Sequence, residues 1–97
     1  MISQSKIEIV AIVYEKNELN EPVTGGEIAK IRDTLTSSAY PLIDDLVAHG
    51  VLEKIMSGRK NLLRIKNTKT AQKVAEACWI LTKFNNNGKE LTLQKAR

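Results

Sequence analysis

A chain of 97 residues has room for one domain with a modest core, so self-association is expected. Its 42% hydrophobic content argues against disorder, and its single cysteine, Cys78, excludes an intrachain disulfide and fits a reducing cytoplasm. The net charge of +4 is unevenly divided: residues 1–50 hold four Lys/Arg against eight Asp/Glu, residues 51–97 eleven against three. That division points to a polyanionic partner met mainly through the second half, although a lopsided solvated surface explains it too.

Residues 3–17 read as a first helix. Ile7, Val10, Ala11 and Tyr14 recur at helical spacing, with Lys6 and Glu15 expected outside. The density of β-branched residues around Ile9, Ile12 and Val13 leaves a strand open. The apolar run 9–14 is bounded by Glu8 and Glu15 and is followed by no small-residue cleavage site. Neither a membrane span nor a signal peptide is expected.

After a polar break at 17–22, Thr24-Gly25-Gly26-Glu27 has the pattern of a capping box, with Val23 and Ile28 at the positions of a hydrophobic staple. A short second helix over 25–33 follows. A turn at Thr34 and Leu35 leads to a third helix capped by Thr36, Ser37 or Ser38. Ser38 fits best, because it puts Pro41 in the first turn. Ala39, Leu42, Ile43, Leu46 and Val47 form its apolar face, and Gly50 is its stop.

Strands over 51–56 and 62–66, joined through Ser57-Gly58-Arg59-Lys60, make a hairpin. Asn67 or Thr68 then caps a fourth helix over 69–85. Ala71, Val74, Cys78 and Leu81 lie on one stripe, and Trp79, Ile80 and Phe84 extend the apolar surface almost all round. The division expected is a domain over 1–88 and a basic tail over 89–97.

The predicted fold is mainly α with a small β-hairpin, and two short, tightly joined central helices are a helix-turn-helix arrangement. Residues 38–53 (SAYPLIDDLVAHGVLE) resemble the recognition helix and first wing strand of PadR-like regulators, within the wider MarR-like winged-helix group. Residues 24–31 and 59–77 resemble the second helix, and the second wing strand with the helix after it. The resemblance implies a homodimeric transcriptional regulator reading an inverted repeat in double-stranded DNA. Plasmid partition adaptors and protein-binding winged helices share the pattern and remain alternatives, as does a ligand-sensing repressor.

Under that reading Ser37, Ser38, Tyr40 and Pro41 face the major groove. Arg59 and Lys60 at the wing tip meet phosphate or the minor groove, and Lys54, Arg64 and Lys69 extend the basic track. Lys69 and Lys73 sit in the first turns of a helix, where the dipole disfavours cations and a phosphate would compensate. Asp44 and Asp45 run against this: they need solvent, a partner such as Lys30 or Arg32, or a cytosine amino group. Val74, Cys78, Trp79, Leu81 and Phe84 are the expected dimer contacts of the fourth helix, alone or with the first. No metal or cofactor is expected, because His49 is the only histidine beside the one cysteine. No phosphate-cradling or nucleophile–base motif points to an enzyme.

Overall fold

The computed structural model describes residues 2–85. The tail over 89–97 and the last three residues of the expected domain lie outside them. The order is α1 (Gln4–Glu18), α2 (Gly25–Ile31), α3 (Thr36–Ala48), β1 (Leu52–Ser57), β2 (Lys60–Ile65) and α4 (Lys69–Asn85).

α1 is a helix, not a strand. Ser3 caps it, its hydroxyl accepting from the Lys6 amide. Ile9, Val10, Ala11, Ile12 and Val13 are all buried, because α2, α3, α4 and β2 pack around this one helix. A helix enclosed on most sides needs apolar residues all round, which is why no narrow stripe stands out in its sequence. Glu15, expected outside, is 2% exposed; its carboxylate accepts from the Trp79 indole on α4 at 3.0 Å.

The capping box of α2 forms as expected. The Glu27 amide donates to Thr24 Oγ1 at 3.2 Å, and the Thr24 amide donates to Glu27 Oε1 at 2.8 Å. Val23 and Ile28 are fully buried. Three helices then end on the same hydrogen-bonded device. Past α1, Glu21 N donates to Lys16 O and Asn20 N to Asn17 O; past α2, Thr34 N donates to Ala29 O and Asp33 N to Lys30 O; past α3, Val51 N donates to Leu46 O and Gly50 N to Val47 O. The left-handed residue is Asn20, Asp33 and Gly50 in turn. Only the glycine was legible as a stop.

The start of α3 corrects the expected Ser38 cap. The helix begins at Thr36, its cap is Leu35 with no side-chain hydrogen bond, and Pro41 sits inside it. The strands also lie nearer the tip than expected. They pair antiparallel from Leu52↔Ile65 to Ser57↔Lys60, leaving the two-residue turn Gly58-Arg59. Gly58 has φ +63° and Arg59 does not share the left-handed region, so the turn has the II′ form that matches strand twist.

The inward stripe of α4 is Ala71, Ala75, Cys78 and Thr82, a spacing of four, three and four. Leu81, which shares a sequence stripe with Ala71 and Cys78, is 45% exposed. Thr82 takes the inward place, and its hydroxyl donates to the Cys78 carbonyl at 2.8 Å.

Candidate nucleic-acid interface

The turn between α2 and α3 is set by backbone geometry. With Asp33 left-handed and the Thr34 amide tied to Ala29, the chain reverses within four residues and α3 packs across α2. The N-terminal part of α3 is thereby turned outward: Ser37, Ser38, Tyr40 and Pro41 are all exposed, while Ala39, Ile43 and Leu46 face the core. Tyr40 does not stand free. Its ring covers Gly25, the first residue of α2, where a Cβ would lie 2.9 Å from ring atoms.

The two carboxylates of α3 are neutralised from outside the helix-turn-helix. Asp44 pairs with Lys54 of β1 at 2.9 Å, and Asp45 with Lys6 of α1 at 3.1 Å. Lys30 and Arg32 are therefore not their partners; Arg32 pairs with Glu8 of α1. Such exposed pairs add about 0–1 kcal/mol each to stability. Their larger effect is on the outer face of α3, where two negative charges each have a cation beside them.

The hairpin is anchored along β2. Leu63 N donates to Val23 O at 2.9 Å, Thr24 forms a bridge to Leu62, and Ile65 N donates to the Asn17 side chain at 2.8 Å. These contacts tie it to the last turn of α1 and to the residues just before α2. They also link the exposed parts: Tyr40 rests on Gly25, Gly25 follows Thr24, and Thr24 bridges to Leu62 midway along the hairpin. Neither Asn17 nor Thr24 stood out in the sequence for this role, because each acts on a residue about 40 or more positions away.

The basic residues separate into three kinds. Lys54 pairs with Asp44, and Arg64 pairs with Glu53 across the strands. Arg59 and Lys60 at the tip are exposed and make no ion pair among the described residues. Lys66, Lys69 and Lys73 are likewise exposed and without such a pair, but they lie at the base of the hairpin, where Lys66 N donates to Val51 O. At about 3.3 Å per residue, the strand from Lys60 to Lys66 puts roughly 20 Å between tip and base. Lys66 thus stands apart from Arg59 and Lys60 along β2, and Lys69 and Lys73 follow it on α4.

Of the residues expected at a dimer contact, Cys78 is 3% exposed and belongs to the protomer's own core, so it has little surface to offer. Burial pushes its thiol pKa up. Val74 packs partly against the same core. Trp79 turns toward α1, its ring centroid 6.1 Å from that of Tyr14 and beneath the Lys83 ammonium at 4.5 Å. Leu81 and Phe84, with Ile80, are left exposed on the outer face of α4. Among the described residues no group of three His, Cys, Asp or Glu could hold a metal ion, and no helix is long and apolar enough to cross a membrane.

No protein-family model and no curated protein sequence matches the chain. Solved structures do. AF1382 from Archaeoglobus fulgidus is similar with a TM-score of 0.72 at 19% identity, over 93% of this chain and 94% of that one. MepR, a transcription regulator of the Staphylococcus aureus multidrug efflux pump MepA, gives 0.71 at 15% identity, over 90% of this chain and 62% of MepR. The MarR family transcriptional regulator SPO1453 from Silicibacter pomeroyi gives 0.68 at 15% identity, over 89% of this chain and 58% of that one.

The fold is a winged helix-turn-helix.

The MarR-like resemblance read from the sequence is thus borne out at the level of fold. In winged-helix terms, α2 and α3 are the helix-turn-helix pair, the β1–β2 hairpin is the wing, and α1 and α4 form the helical layer behind them. The chain spans about three-fifths of MepR and of SPO1453, and nearly the whole of AF1382.

Proposed function

We propose that this winged helix binds double-stranded DNA as a homodimeric transcriptional regulator of the PadR-like or MarR-like type, acting in the cytoplasm by occupancy rather than by chemistry. The observation that carries the proposal is the contrast between charges on the exposed surface. The carboxylates of the recognition helix have cations beside them, whereas Arg59 and Lys60 on the wing tip have none and are available for phosphate.

In this reading Ser37, Ser38, Tyr40 and Pro41 enter the major groove and the wing tip tracks the backbone or the minor groove. Lys54 and Arg64 act mainly by balancing Asp44 and Glu53. The exposed Ile80, Leu81 and Phe84 of α4 pair with a second copy, which would set two recognition helices about one DNA turn apart, roughly 34 Å. MepR and SPO1453 are named as transcription regulators, which supports the same reading.

The test is a mobility-shift titration of the full chain against mixed-sequence duplex DNA at two salt concentrations. Binding that weakens steeply with salt is expected. An absent shift at low salt contradicts the proposal and favours a protein-binding use of the fold.

A further inference from the structure

The exposed N-terminal half of α3 is chemically unusual for a helix that reads bases. Thr36, Ser37, Ser38, Tyr40 and Pro41 are its exposed residues, and none is Arg, Lys, Asn or Gln. Guanine is read in the major groove mainly by bidentate Arg or Lys, and adenine by bidentate Asn or Gln. The acidic residues that could accept from cytosine, Asp44 and Asp45, are bound to Lys54 and Lys6.

What the face does offer is set by Pro41. The proline lies inside the helix rather than in its first turn, so it has no N–H to give to the Ser37 carbonyl four residues earlier. The apolar pyrrolidine ring of Pro41 is exposed on this face. An A·T pair presents an apolar counterpart in the major groove, the thymine C5-methyl group. Resting on the DNA-binding proposal above, we infer that α3 selects A·T pairs by packing Pro41 against thymine methyl groups.

Two alternating duplex polymers test this directly, because poly(dA-dT) and poly(dA-dU) differ only in the thymine methyl. The wild-type chain should bind the dT polymer more tightly, by about four-fold for each methyl in contact. Pro41→Ala removes the ring and returns an N–H to Ser37. It should bring the two polymers to within two-fold of each other while the protein stays as helical by circular dichroism as the wild type. Equal wild-type affinity for the two polymers, or a preference that Pro41→Ala leaves unchanged, overturns the inference. If binding is equal yet still weakened by Arg59→Ala with Lys60→Ala, the DNA-binding reading stands and only the thymine contact fails. If neither polymer binds at low salt, both fail together.

Discussion

The aromatic ring of Tyr40 lies against the backbone of Gly25, so close that a Cβ on that glycine would stand 2.9 Å from ring atoms Cε1 and Cζ and 3.1 Å from the hydroxyl oxygen. α3 thus rests on the start of α2 through a tyrosine that still keeps 40% of its surface exposed.

Gly25→Ala should displace that ring. The backbone of α2 accepts alanine, since Gly25 is an ordinary first-turn residue, and the ring can swing outward. Thermal melting should therefore move by only a few degrees. Affinity for duplex DNA should fall about three- to ten-fold, an effect of about 1 kcal/mol. Melting curves and anisotropy titrations separate the two. Wild-type affinity in this variant would remove Tyr40 from the interface.

Glu15 and Trp79 join α1 to α4 at a buried point. Glu15→Leu takes the acceptor from a part-buried indole N–H and should cost about 1–3 kcal/mol. Glu15→Gln keeps an acceptor and should cost less. Urea denaturation followed by Trp79 fluorescence measures both, and a Leu variant as stable as the Gln variant would show that the hydrogen bond contributes nothing.

The outer face of α4 leaves Ile80, Leu81 and Phe84 exposed at 53%, 45% and 81%. Leu81→Glu with Phe84→Glu should convert a dimer to a folded monomer in sedimentation experiments, because both charges would be placed in an apolar contact. A wild-type chain that sediments as a monomer at tens of micromolar contradicts the dimer.

Cys78 is held in the core with its thiol pKa raised by burial. The reactive form of a thiol is the thiolate, so folding reduces both access and ionisation. Because the unfolded thiol ionises first, the stability linked to this raised pKa is fully present below the unfolded thiol's pKa and is lost as pH rises through the folded pKa. A thiol-specific reagent at neutral pH should label Cys78 at the rate of unfolding. Rapid labelling of the native protein would indicate that α4 opens far more readily than its packing implies.

Local chemistry was the legible part of this molecule. The capping box at Thr24 and Glu27, the stop at Gly50 and the turn at Gly58 each depend on residues within a few positions, and the order of elements follows from them. Most of the misreadings come from partners distant in sequence. Glu15 looked solvated because Trp79, which hydrogen-bonds to it, is 64 residues away. Asp44 and Asp45 looked like repulsive charges because Lys54 and Lys6 come from other elements. The start of α3 was misjudged for a different reason. Proline is best tolerated in a helix's first turn, yet here Leu35 caps without a side-chain bond and Pro41 is accommodated further in.

The central claim is that the wing tip is the main electrostatic contact with DNA, and the salt dependence of duplex binding tests it most directly. Arg59→Ala with Lys60→Ala should weaken binding and reduce the slope of log affinity against log salt by about two per protomer. The matched pair Lys69→Ala with Lys73→Ala, at the other end of the hairpin, should change the slope by less than half as much. Equal effects from the two pairs, or an unaltered slope after the tip is neutralised, would contradict the account.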